Sequence, residues 1–100
     1  MADRYRIPCR YRGDRSDKID VAMFVCGVIA ATLGADVDYD TRDGSDDFDV
    51  LILDSVIPPD SARLNYWRRV TAANLERIAA GCSVEIGKPE SIITEPEASA

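Results

Sequence analysis

Histidine is absent from the 100-residue chain. That removes the one side chain whose unperturbed pKa lies near neutrality, and with it every imidazole base, Ser-His or Cys-His nucleophile and histidine metal ligand. Cysteine is scarce and unsuitably spaced. Cys9, Cys26 and Cys82 contain no CxxC pair, and an odd number of thiols supports neither a disulfide framework nor a zinc site. A membrane-spanning run is also missing: the longest apolar stretch, Val21 to Leu33, falls short of the roughly 20 residues a bilayer requires and reads as a buried helix. The opening MADRYRIPCRYRG has no apolar core, so no secretory signal is expected, and reduced thiols fit a cytoplasmic protein without membrane association. Positive charge is short as well. Twelve Lys and Arg against 18 Asp and Glu leave a net charge of −6, which argues against binding nucleic-acid phosphates.

What remains is the composition of an ordinary globular protein, 46% hydrophobic and 30% charged, long enough for one folding unit. A single domain is expected over residues 1–94, with a disordered tail at 95–100. The charges are unevenly placed. Residues 1–18 carry six basic residues against Asp3, Asp14 and Asp17, a surplus of three. Residues 19–60 carry ten Asp against Arg42 alone, and the remainder is neutral. Such asymmetry bears on partner choice and association rate rather than on fold.

From Arg4 to Arg12 the chain alternates, with Tyr5, Ile7, Cys9 and Tyr11 opposite Arg4, Arg6, Pro8, Arg10 and Arg12. Period two means a half-buried strand, and Pro8, which has no N–H, requires an edge, a bulge or a non-bonded position. Ser16 or Asp17 can cap a helix that ends at Gly34. In it Ile19, Met23, Cys26, Ala30 and Leu33 form one stripe, while Val21, Phe24, Val25 and Val28 cover much of the remaining circumference. A helix apolar all round must be covered on both sides, by a neighbouring helix, a second subunit or a partner. Asp36 to Thr41 alternates again, RDGSDD supplies a turn, and FDVLILDSVI is the most apolar strand, suited to the middle of a sheet. Asp60 or Ser61 caps a second helix running to about Ala80, with Leu64, Trp67, Thr71, Leu75 and Ile78 facing the core. Ser83 to Ile86 is a short strand, continued by Ser91 to Thr94 beyond Lys88-Pro89. This order predicts an α+β, ferredoxin-like βαββαβ fold: a four-stranded antiparallel sheet with two helices on one face.

The motifs are individually weak. DVDYDTRDGSDD places carboxylates at one, three, five and twelve of a calcium loop, but Thr41 occupies position six, where an EF-hand needs glycine. FDVLILD has the form of a Walker B strand, yet no phosphate-cradling GxxxxGK[ST] accompanies it. FDVLILDSVIPP resembles the phosphoacceptor strand of response-regulator receiver domains, which implies Asp54 as acceptor. The likeness covers about a dozen residues, the acidic pair belonging at the end of the first strand is missing, and the chain has no room for five βα units. Asp54 is therefore expected to end a strand and pair with an arginine or accept a hydrogen bond. Tyr5 and Tyr11 among arginines suggest a base-stacking face, but alternation sends the two residue types to opposite sides.

No catalytic residues, metal ligands or cofactor are assigned, and the expectation is a protein that is not an enzyme. The chain reads as a small acidic interaction module, an adaptor or inhibitor that docks on another protein with a basic surface. Asp36, Asp38, Asp40, Asp43, Asp46 and Asp47 form its acidic contact, and Val21, Phe24, Val25 and Val28 an apolar contact for a partner or a second copy. One form is an inhibitor whose aspartates mimic nucleic-acid phosphates, similar in size and charge to small acidic phage-type inhibitors. The alternative is a dimeric, ACT-like domain that senses a small molecule.

Overall fold

The computed structural model describes residues 3–41 and 46–92. The expected tail at 95–100 and the turn residue Asp43 lie outside the described residues. Strand β1 (Asp3–Arg12) follows its alternation: Ile7, Cys9 and Tyr11 are buried, and Arg4, Arg6, Arg10 and Arg12 are exposed. Asp36–Thr41 forms β2 and Phe48–Ser55 forms β3, joined as the antiparallel pair that the Asp/Gly turn predicts. The last strand is broken in two, β4 (Ser83–Ile86) and β5 (Glu90–Ile92). Every pairing is antiparallel, in the order β2-β3-β1-β4, with β5 also on β1. Among the described residues the result is an α+β fold with two α-helices and a five-stranded sheet.

The fifth strand corrects the four-stranded expectation, and Pro8 supplies the reason. An extended residue points its N–H and C=O to the same side. The Pro8 carbonyl accepts the Gly87 N–H at 2.8 Å, so the donor that proline lacks also faces the last strand. The ladder therefore opens between Ile86 and Glu90 and closes again on Arg4–Arg6. Only glycine fits the gap, since a Cβ on Gly87 would lie 2.7 Å from that carbonyl oxygen.

Helix α1 (Lys18–Leu33) is preceded by a single 3-10 turn at Arg15–Asp17, capped by Asp14, whose carboxylate accepts the Ser16 N–H at 3.0 Å. Gly34 ends it in the left-handed region at φ 64°. Its rotation differs from the expected one. Val21, Ala22, Val25, Ile29 and Leu33 enter the core, whereas Ile19 and Met23 are exposed. Residues 21–34 contain no charge, so the sequence offers no polar face from which to infer the inward side. Helix α2 (Ser61–Ile78) is legible by contrast. Asp60 caps it by accepting the Arg63 N–H at 3.0 Å, and Leu64, Trp67 and Thr71 are buried as their spacing predicts. No helix among the described residues is long and apolar enough to cross a membrane.

A polar contact fastens the two helices to each other. Fully buried Trp67 donates its Nε1–H to Thr32 Oγ1 at 2.7 Å, and that hydroxyl donates onward to the Ile29 carbonyl at 2.9 Å. Thr71 Oγ1, on the other hand, is buried without a hydrogen-bond partner among the described residues. Two isosteric changes should therefore have opposite signs in urea denaturation. Thr32→Val strands a buried indole donor and is expected to cost about 1–3 kcal/mol. Thr71→Val removes an unpartnered hydroxyl and is expected to stabilise by about 1 kcal/mol.

Candidate interaction surface

Helices cover the face bearing Ile7, Cys9, Tyr11, Val50 and Ile52, so the other face of the sheet carries the charge. Strand register arranges it in rows. Asp38 and Arg6 both pair with Leu51, and they therefore stand in one row on either side of it. One row along, Asp36 pairs with Leu53, and Arg4 lies across the bulge between the Asp3–Ser55 and Tyr5–Ile52 pairs. The next row places Asp40 beside Asp49. An acidic column on β2 and a basic column on β1 thus run along the same face, separated by the half-buried leucines of β3. The aromatic residues of the described strands, Tyr5, Tyr11, Tyr39 and Phe48, all belong to the inward rows.

The two columns do not neutralise one another. Arg6 pairs with Glu90 on β5 at 3.2 Å, and Arg4 with Asp54 at 3.8 Å. Asp36, Asp38 and Asp40 are exposed and hold no ion pair among the described residues; Asp38 only accepts the Tyr39 N–H at 2.8 Å. Asp46 is held apart from them by Arg15, 3.1 Å away in the turn before α1. Asp47 is half-buried and lines a cavity of about 400 Å³ together with Pro8, Cys9, Arg10, Asp49 and Glu85. The acidic set therefore divides into an open column, one residue paired with Arg15, and one at the cavity.

The apolar set needs a correction. Val21 and Val25 are fully buried and form part of the core, so they present nothing to a partner or a second copy. Phe24 and Val28 are half-buried, and Val28 packs against the core one turn before Thr32, which meets α2. The exposed large apolar side chains of α1 are Ile19 and Met23 instead. Leu51 and Leu53, which the sequence marks as apolar on a central strand but assigns no contact role, form the ridge between the charged columns. Their signal was present in the double-sided apolar pattern of β3.

The three cysteines are free, Cys9 and Cys26 in the core and Cys82 half-buried. Burial pushes the Cys9 thiol up to about 12, with Cys26 and Asp49 adding to the effect, and Cys9 Sγ donates to the Ile7 carbonyl at 3.6 Å. Burial, aided by Asp38, also raises Cys26 to about 12. Neither supplies a thiolate nucleophile at neutral pH.

No protein-family model matches the chain, and no curated protein matches it. Among solved structures it is similar to the de novo designed protein Foldit4, with a TM-score of 0.50 and 12% identity over 93% of this chain and 100% of that one. At this identity the likeness concerns the fold alone.

The raised thiols give a pH dependence of definite sign. In the unfolded chain Cys9 and Cys26 ionise near their ordinary value of 9.0, before they do so in the folded protein. Their contribution to stability is therefore complete below pH 9 and is lost as pH climbs toward 12. Urea denaturation between pH 8 and pH 10 should show stability falling at the alkaline end. A Cys9→Ala/Cys26→Ala variant should show a shallower fall.

Proposed function

We propose that this protein is a non-enzymatic interaction module, a small acidic adaptor or inhibitor that docks on a basic protein surface through the aspartate column of β2. We read its sheet as a ferredoxin-like βαββαβ arrangement whose last strand is divided in two. The observation that supports the function is the state of Asp36, Asp38 and Asp40. All three project from an edge strand on one face, exposed and without an ion pair among the described residues. Alternate residues of a strand recur about every 6.5–7 Å, so the carboxylates form a regular ladder of negative charge. A ladder of this kind can substitute for a phosphate backbone in a basic groove, and it accelerates encounter with a cationic partner in a salt-dependent way. Cys9 and Cys26, buried as thiols, add no nucleophile to this surface.

The test replaces charge and preserves shape. Proteins captured by the native chain are compared with those captured by an Asp36→Asn/Asp38→Asn/Asp40→Asn variant whose thermal melt is unchanged. Binding to basic partners is expected to weaken ~10-fold or more, a change of at least about 1.4 kcal/mol, and to weaken further with added salt. Undiminished capture by the variant would falsify this function.

A further inference from the structure

We propose that the partner of this face is a second copy of the chain, with the two open sheet faces stacked about a two-fold axis that runs along β3. The proposal rests on the interaction-module reading and names its partner. A symmetric interface must be self-complementary, with each contact made twice. The open face meets that condition because its opposite charges flank a common strand. Strands β2 and β1 lie on either side of β3, each one strand spacing, about 4.8 Å, away. Rotation about β3 therefore carries the β2 of one copy over the β1 of the other without moving it along the strand.

The rows then match. Asp38 and Arg6 share the level of Leu51, so Asp38 of each copy stands over Arg6 of the other. Asp36, at the level of Leu53, stands over the bulge of β1 that carries Arg4. The charge pattern also selects between the available axes. A two-fold running across the strands would set β1 on β1 and β2 on β2, placing arginine on arginine and aspartate on aspartate. The axis along β3 instead brings Asp38 over Arg6 and Asp36 toward Arg4 in both halves.

Leu51 and Leu53 lie on the axis and meet their own counterparts, while Asp49, next along the same strand, is buried within its own copy. The leucines supply an apolar centre, and the two charged columns become its polar rim, the usual anatomy of a protein interface. Face-to-face sheets stand about 10 Å apart, a gap that arginine side chains from one face and short aspartates from the other can fill. The existing pairs Arg6–Glu90 and Arg4–Asp54 do not prevent this. Both are exposed, and such pairs hold weakly enough for a guanidinium with five donors to serve a second carboxylate.

Sedimentation equilibrium on the full chain tests the arrangement, using two charge-reversed variants. One is Asp36→Arg/Asp38→Arg and the other Arg4→Asp/Arg6→Asp. The native chain is expected to be dimeric at micromolar to high-micromolar concentration and to dissociate as salt rises. Each variant alone should be monomeric, and an equimolar mixture should return to the dimer mass, because reversal in one copy complements reversal in the other. If circular dichroism shows either variant unfolded, Arg6→Gln is the change to read, with a several-fold weaker dimer expected. A native chain that stays monomeric overturns the proposal, as does a dimer that both reversals leave intact. A monomer whose aspartate column still captures a basic protein overturns the second copy alone. A monomer whose capture survives the Asp→Asn changes overturns the interaction-module reading as well.

Discussion

Four arginines at alternate positions of the central strand decide which face of the sheet can be covered. A guanidinium stays charged at any pH a protein meets, and burying it without a partner costs several kcal/mol. Arg4, Arg6, Arg10 and Arg12 therefore hold one side of β1 in solvent, and both helices must share the other side. Two helices over one sheet face have to lie beside each other. The contact of Trp67 with Thr32 follows from that arrangement, because the indole fills the space between them and its N–H must find an acceptor where water does not reach. The arginines thus act on the fold by exclusion, from the face opposite to the core that they shape.

The same strand sets the outline of the last edge. Pro8 stands in a strand paired on both sides, and its pairing with Asp49 on the β3 side is kept. The cost falls on the other side, where Gly87 approaches the Pro8 carbonyl and the final strand becomes two short pieces. This break brings Glu90 on β5 beside Arg6. Strand β2 makes no such contact with β1, because β3 and its leucines intervene. The basic column is thereby partly neutralised from the C-terminal side, while the acidic column keeps its charge.

Strand positions were legible in the sequence because period-two alternation fixes which side chains share a face. The outward placement of Asp36, Asp38 and Asp40 follows from their spacing alone, as does that of the arginines. Helix α2 was equally plain, since Leu64, Trp67 and Thr71 contrast with charged neighbours such as Arg68, Arg69 and Glu76. The failure came in α1. With Ile19 and Met23 as apolar as Val21 and Val25, any inward side satisfies the pattern, and only packing against the sheet and α2 chooses among them. Pairings between distant segments were hidden for another reason. Arg15 and Asp46 are 31 positions apart, and their contact depends on where the turn before α1 falls relative to the β2–β3 connection. Individual charges are therefore easier to place on a face than to match with a partner.

Strand β2 is also an edge, with one side of its backbone left for whatever extended chain comes near. Edges of this sort template intermolecular sheet growth, the first step toward insoluble aggregates. Aspartate at every second residue works against that outcome. An identical edge laid alongside would bring carboxylates into register with carboxylates, and aspartate is itself among the poorest strand formers. The charge that marks β2 as a recognition element thus serves a second purpose during folding and storage: it keeps the molecule in solution by making edge-to-edge growth unfavourable.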